Sequence, residues 1–153
     1  GDGDFVQVVK ALQNSGCKVE CVAFDNVSGD LRKEVDVYTS GYLIPGLLPQ
    51  PHDTPSEWGE LGSIVRGVIV HHDEEKKFGF FRYLKTTNAK LWITDDRDDD
   101  SPYSSAFFYD GDFSERFDFS KIDERNSVFE FTLAEGREGK KKAINFRIIK
   151  ARY

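Results

Sequence analysis

Five segments rich in β-branched and aromatic residues follow one another in the second half of the chain, and they constrain its fold more than any other feature. They begin at Arg66, Phe78, Ser105, Val128 and Lys142 and read RGVIVHH, FGFFRYL, SAFFYD, VFEFTLAE and KAINFRIIKA. Such residues favour strands, and from Ile64 onward no helical period interrupts them. Five strands in so short a stretch predict a small all-β five-stranded barrel, because closure removes exposed edges.

An insert separates the second and third of these segments. It runs from about residue 85 to residue 105 and is too long for a hairpin loop. Within it, KLWIT (residues 90–94) predicts an extra strand that pairs back across TTNA. The following DDRDDD (residues 95–100) holds five acids against Arg97 and predicts a mobile acidic segment.

The first 48 residues have a different pattern, which predicts an α/β fragment. Apolar residues at helical spacing predict a helix that stops near Gly16. A buried strand follows at residues 18–24, Ser28 is placed to cap a short helix, and VDVYTS at residues 35–40 predicts a second strand. A helix between short strands is typical of a parallel sheet. Cys17 and Cys21 lack a metal-ligand spacing and are expected to be reduced core thiols.

A proline-rich stretch lies between these two parts. Four prolines occur between Ile44 and Ser56, together with Gly46. Such a composition is typical of a semi-rigid linker. We therefore predict an α/β part at residues 1–48, a linker at 49–62 and a barrel at 63–153.

Composition sets outer limits on the function. An apolar content of 39% with 14% aromatics supports a packed core. The sequence has neither the run of about 18 apolar residues needed for a membrane helix nor a secretory signal, so we expect a cytoplasmic protein. The net charge of −6 disfavours indiscriminate binding to polyanions, yet the segment from Gly136 to Tyr153 holds seven Lys or Arg against Glu138. The chain contains no Met and begins with GDGDF, so we expect a piece of a longer protein.

Alternation along two strands predicts an aromatic binding surface. Phe78 and Phe80 share one face of their strand, and Phe107 and Tyr109 share one face of the next, with Lys76 nearby. Nucleic-acid bases stack on such rings with about 1–3 kcal/mol per base, whatever their sequence. The pattern therefore predicts a site for single strands. We expect other phenylalanines to fill the core, namely Phe81, Phe108, Phe129, Phe131 and Phe146.

The pair His71-His72 precedes this surface. Adjacent residues of a strand point to opposite faces, so the two imidazoles are not placed to share a metal ion. We expect His71 to stack or hydrogen-bond on the binding surface and His72 to be structural.

The segment from Arg66 to Tyr153 resembles a cold-shock domain, the five-stranded OB-type barrel that binds single-stranded RNA and DNA. The first motif of that family is matched by Lys76-Lys77-Phe78-Gly79-Phe80-Phe81, and the second by Phe107 and Tyr109. Gly136, Gly139 and the AINF stretch match its last turn and closing strand. The resemblance implies nucleic-acid-binding roles for six residues: His71, Lys76, Phe78, Phe80, Phe107 and Tyr109. The chain departs from the family at His71, His72 and Asp110, where the family carries aromatic residues.

The opening GDGDF suggests chemistry of another kind. Two carboxylates around Gly3 suit a hard cation such as Mg²⁺, which can activate water against a phosphodiester. The alternative is that Asp4 is a helix N-cap. Residues 1–48 resemble the C-terminal half of a NYN domain, the PIN-like ribonuclease fold of LabA-like proteins. That resemblance implies Asp2 and Asp4 as catalytic and metal-site candidates and Asp36 as a further metal ligand. Mg or Mn is expected only in a full-length parent, because the first half of that fold is absent here.

Taken together, these features predict a protein that binds single-stranded RNA or DNA through a cold-shock-like barrel. The barrel would be attached to a NYN endoribonuclease domain, truncated here, that acts in RNA processing or turnover. One alternative is a non-catalytic nucleic-acid-binding protein or RNA chaperone with a degenerate nuclease fold. Another is a protein-interaction module that uses the barrel face. The incomplete α/β half, with an open sheet edge, is also expected to favour homo-oligomers.

Overall fold

The computed structural model describes residues 2–24, 27–48, 56–114 and 117–151. It divides into two compact units, Gly1–Tyr42 and Leu43–Tyr153. No helix among the described residues has the length and apolar character needed to cross a membrane.

The first unit is a small α/β structure, as its sequence predicts. Its elements are α1 (Asp2–Asn14), β1 (Glu20–Ala23), α2 (Gly29–Glu34) and β2 (Val37–Ser40). The strands pair in parallel, with Glu20 opposite Val37. The predicted cap of α2 is confirmed, because Ser28 Oγ accepts a hydrogen bond of 3.2 Å from the Leu31 amide.

Several details of this unit differ from the sequence predictions. The strand predicted to be buried is not, because the residues of β1 alternate between exposed and half-buried. Asp4 is not an N-cap, because α1 begins at Asp2 and Asp4 lies inside its first turn. Of the apolar residues at helical spacing in α1, only Val9 is buried, where it packs with Leu31 and Val35. Cys17 is exposed rather than in the core, since it follows the turn that ends the helix.

The second unit contains a closed five-stranded barrel, which confirms the main fold prediction. The strands are β3 (Ile64–Asp73), β4 (Phe78–Leu84), β5 (Tyr103–Tyr109), β6 (Val128–Glu135) and β7 (Lys141–Lys150). Their order around the barrel is β3-β4-β5-β7-β6, and β6 pairs with β3 to close it. Among the described strands of the barrel, β5 and β7 pair in parallel and the other neighbours pair antiparallel. This mixed order is consistent with an OB-type barrel.

The barrel core is built largely from phenylalanine. All five rings expected there are at most 1% exposed: Phe81, Phe108, Phe129, Phe131 and Phe146. Gly79 allows the wall to close over them. A Cβ at this position would lie 2.6 Å from Phe108 Cζ and would overlap the carbonyl oxygen of His71. The glycine of the sequence motif is therefore required by packing.

The insert between β4 and β5 does not form the predicted extra strand. Residues 90–94 form turns instead, in which the Ile93 amide donates to Lys90 O and the Thr94 amide to Trp92 O, both at 3.0 Å. The acidic residues continue this structure, since the Asp98 amide donates to Asp95 O at 3.1 Å. Aspartate and asparagine side chains favour such turns by accepting hydrogen bonds from nearby amides. The strand prediction was wrong because local turn chemistry outweighs the β propensity of KLWIT.

The predicted linker, 49–62, is described only in part, because residues 49–55 lie outside the described residues. The remaining part is packed on the barrel. Trp58 Nε1 donates a hydrogen bond of 2.6 Å to Leu84 O, and the Gly62 amide donates one of 2.7 Å to Leu133 O. Residues 57–62 therefore belong to the hydrogen-bonded structure of the second unit.

Candidate nucleic-acid interface

The outer face of β3, β4 and β5 carries a cluster of aromatic side chains. Phe78 pairs with Tyr109 across β4 and β5, and Phe80 pairs with Phe107. His71 on β3 lies opposite Phe80. Directly paired residues share a face of the sheet, so all five side chains lie outside the barrel core. We call these five residues the ring surface.

The rings of this surface contact one another as a continuous layer. The Phe107 centroid lies 5.6 Å from that of Phe78, 5.5 Å from that of Phe80 and 4.6 Å from that of Tyr109. His71 completes the layer, with its ring 6.0 Å from that of Phe78. The three phenylalanines are half-buried by these contacts, whereas Tyr109 is 46% exposed and His71 is exposed. The sequence prediction that these side chains lie outside the core is confirmed.

A basic rim borders one side of the ring surface. Phe80, Phe107 and Tyr109 line a cavity of about 560 Å³ whose remaining walls come from the β6–β7 turn and the start of β7. The cationic wall residues are Arg137, Lys140, Lys141 and Lys142, and Glu135 is the acid among them.

The lysines of this rim differ in their contacts. Lys142 Nζ lies 5.1 Å from the Tyr109 ring centroid and 3.4 Å from Asp112 Oδ2. Lys141 Nζ donates to Gly59 O at 2.6 Å. Lys76 lies apart from the cavity lining, in the exposed turn that leads into Phe78, where its amide donates to Asp73 Oδ1 at 2.9 Å.

Asp110, which stands where the cold-shock family carries an aromatic residue, is engaged by a histidine. Its carboxylate is held by His72, whose Nε2 lies 2.9 Å from Asp110 Oδ1. The other ring nitrogen of His72 lies 3.1 Å from Glu124 Oε1. The His72 side chain is only 2% exposed and is flanked by the rings of Phe108 and Phe119. His72 therefore lies on the inner side, as the alternation predicts, and connects β3 to two loops.

The outer face of the same strands becomes buried toward the C-terminal end of β4. Val68, Leu84 and Tyr103 also occupy outward positions, yet they are only 6%, 0% and 5% exposed. The insert contacts Tyr103, whose Oη donates a hydrogen bond of 3.0 Å to Leu91 O, and Leu91 is itself buried. The ring surface is thus the uncovered part of a longer outer face.

Arg82 marks the boundary between these two parts. It follows Phe80 on the outer face of β4, and its guanidinium lies 5.1 Å from the Tyr103 ring centroid. Burial, reinforced by the charge of Arg125, lowers the pKa of Arg82, and interactions with Tyr103 and Asp96 oppose this effect. Among the described residues, no hydrogen-bond partner is found for its buried Nε.

The acids of the insert are exposed, and two of them form ion pairs. Arg97 holds Asp95 in a bidentate pair with distances of 2.9 Å, and this hydrogen bonding lowers the pKa of Asp95 to about 2. Lys90 Nζ lies 3.1 Å from Asp100 Oδ2. Elsewhere on this unit, a hydrogen bond from the Ser120 side chain lowers the pKa of Asp118.

The structure describes the predicted metal ligands of the first unit only in part. Asp2 begins α1, but its side chain is outside the described part, and the Asp4 side chain is exposed. Asp36 Oδ2 accepts a 2.7 Å hydrogen bond from the Val19 amide and one of 3.3 Å from Gln13 Nε2. These two bonds lower the pKa of Asp36, the first more than the second. Across the described ranges, no group of three or more His, Cys, Asp or Glu is placed to hold a metal ion.

Some features of the interface had no signal in the sequence. The His72–Glu124 contact joins residues 52 positions apart, and no motif links them. The position of Arg82 could have been found, because it continues the alternation of Phe78 and Phe80. Neither known protein-family models nor curated proteins give a match to this sequence.

Proposed function

We propose that the barrel binds single-stranded nucleic acid, RNA or DNA, on the ring surface. The observation that carries this proposal is the continuous layer of uncovered rings on adjacent strands, with Phe107 at its centre. In a barrel whose core is already filled by other phenylalanines, this layer adds little to the packed interior. Bases, by contrast, stack on such rings with a favourable energy of about 1–3 kcal/mol each.

The charge next to the rings supports the same partner. The whole chain has a net charge of −6, but the cavity beside Phe80 and Tyr109 is bordered by four cations and one acid. A strand stacked on the rings would place phosphates within reach of Arg137 and Lys140. Binding should therefore weaken as salt rises, because phosphate contacts release condensed counterions.

We extend this proposal to RNA processing or turnover. In a parent protein with a complete NYN-like domain, the barrel would hold a strand near the cleavage site and raise its effective concentration there. Catalytic roles for Asp2 and Asp4 remain a prediction from the resemblance. The binding role of the barrel does not depend on them.

The test is fluorescence anisotropy with a labelled RNA of about eight nucleotides, at about 50 and 200 mM salt. The same sequence as a duplex serves as a competitor. Wild type should bind the single strand in preference to the duplex, and more weakly at the higher salt. Phe78→Ala and Phe107→Ala should each weaken binding by about 5- to 150-fold, the equivalent of one lost stacking contact.

Phe5→Ala is the matched control, because it removes a ring that is 59% exposed on α1. It should leave the affinity unchanged. Salt-insensitive binding, or binding that Phe78→Ala and Phe107→Ala leave intact, would contradict the proposal. A complete lack of binding would favour the alternative of a barrel face used for protein contacts.

A further inference from the structure

The insert at residues 85–102 is a fixed cover on one end of the outer face. Ser101 Oγ donates a hydrogen bond of 2.6 Å to Ile93 O, and Tyr103 Oη donates one of 3.0 Å to Leu91 O. Trp58 Nε1 secures the end of β4 from the other direction by donating to Leu84 O. Because Leu91 and Tyr103 are in contact and almost fully buried, displacing the insert would expose apolar surface to water. The insert is therefore a fixed steric barrier to a bound strand, and we call it the wall.

This wall carries an excess of negative charge. Five aspartates and three cations in residues 85–102 leave a net charge of −2. Asp95 and Asp100 are engaged with Arg97 and Lys90. The other three acids have no ion-pair partner among the described residues, and all three are exposed: Asp96, Asp98 and Asp99.

The wall lies at the end of the ring surface. Arg82 takes the next outward position after Phe80 on β4, and its guanidinium lies 5.1 Å from the ring of Tyr103, which is hydrogen-bonded to the insert. It interacts electrostatically with Arg125 as well as with Asp96. Exposed charges act over a Debye length of about 10 Å at 0.1 M salt, so phosphates near Arg82 would experience the field of the insert. Along the edge where β5 pairs with β7, the ring surface is bordered by the cations around Lys142.

We infer that the acidic insert ends the nucleic-acid path at Arg82 and restricts the site to a short single-stranded segment. This inference rests on the proposed function. A strand stacked on the rings is repelled at the insert and leaves along the basic rim. The site then spans about four nucleotides, the lower end of the range for a barrel of this type. The insert thus sets the length of strand that the barrel recognises.

The test compares two triple variants with the wild type. D96N/D98N/D99N removes the charge and keeps the side-chain shape. The side chain at position 98 keeps an oxygen that can accept the hydrogen bond from the Asp100 amide. D96E/D98E/D99E is the matched control, because it changes the side chains and keeps the charge. Affinities are measured by anisotropy for oligonucleotides of about four and about twelve nucleotides.

At about 50 mM salt, the Asn variant should bind the longer oligonucleotide about three- to tenfold more tightly than wild type. The shorter one should change by less than about twofold, and the gain should shrink at about 300 mM salt as screening increases. The Glu variant should match the wild type for both lengths. D96N alone, which removes the acid that interacts with Arg82, should show a smaller gain in the same direction and guards against misfolding of the triple variant.

The outcomes separate this inference from the proposed function. If the wild type binds single strands through Phe107 and the Asn variant binds the longer oligonucleotide no better, the inference is overturned and the proposed function stands. Equal gains in the Asn and Glu variants would also overturn it, because side-chain shape rather than charge would then be responsible. If the wild type binds no single strand at all, both proposals fail.

Discussion

The inner and outer faces of β4 and β5 use the same residue type for different purposes. Phe81 and Phe108 are fully buried, with centroids 4.4 Å apart, whereas their neighbours Phe80 and Phe107 form part of the ring surface. Alternation along a strand determines which ring faces the core. It does not determine what happens to the outer rings. On the same outer face, Tyr103 is covered by the insert and Phe107 is not.

The largest effect should come from the inner rings. Phe108→Ala should lower the free energy of unfolding by about 3–5 kcal/mol, because it removes a fully buried ring and leaves a cavity. Phe107→Ala should lower it by about 1 kcal/mol or less, because that ring is only half-buried. Urea denaturation of both variants measures the difference. Equal losses would show that the outer ring is part of the core after all.

A smaller effect tests how closely the inner face is packed. Gly79→Ala should lower the free energy of unfolding by about 1–3 kcal/mol, since the added methyl group meets Phe108 and the His71 carbonyl. Gly111→Ala is the matched control, because no atom lies within 4 Å of a Cβ at that position. Thermal melts should show a clear decrease in Tm only for the first. A Gly79→Ala variant as stable as wild type would contradict the close approach of β3 and β4.

The two adjacent histidines extend the same comparison. His72→Ala should cost about 1–3 kcal/mol of stability, because it leaves the carboxylates of Asp110 and Glu124 without their partner. His71→Ala should change stability by about 0.5 kcal/mol or less, because His71 is exposed. Denaturant titrations of the two variants provide the measurement. The comparison would fail if His71→Ala were the more damaging substitution.

The smallest effect concerns the hydroxyl of Tyr109 on the ring surface. Tyr109→Phe should keep the affinity for single strands within about twofold, because stacking depends on the ring and not on the hydroxyl. Tyr109→Ala should weaken binding by about fivefold or more. Anisotropy titrations with one oligonucleotide distinguish the two. A large loss with Tyr109→Phe would indicate recognition through a hydrogen bond from the hydroxyl instead.

Much of the second unit could be predicted because its strands are determined by residues that lie close together in the sequence. Its aromatic-rich composition predicts β4 as a strand, and alternation along a strand assigns Phe80 and Phe81 to opposite faces. The covered end of the outer face could not be predicted, because it depends on contacts such as that of Tyr103 with Leu91. Likewise, the contact of His72 with Glu124 joins a strand to a distant loop. The KLWIT segment was wrongly predicted to be a strand, because the turns that surround it outweigh its β propensity.

The metal-site prediction depends on residues that the sequence motif groups together. GDGDF places Asp2 and Asp4 close in the chain, but both fall within the first turn of α1. Asp36 instead accepts hydrogen bonds from Val19 and Gln13 and so helps to fix α1 and β1 near the start of β2. A motif alone could not reveal this structural use of Asp36.

The most direct test of the central claim is an NMR titration that observes the aromatic rings. Stacked bases shift the resonances of the rings that they cover. With a single-stranded oligonucleotide of about four nucleotides, the resonances of Phe78, Phe80, Phe107 and Tyr109 should shift progressively, while those of Phe81 and Phe108 stay almost unchanged. Equal shifts of inner and outer rings, or no shift of the outer rings at saturation, would contradict binding on the ring surface.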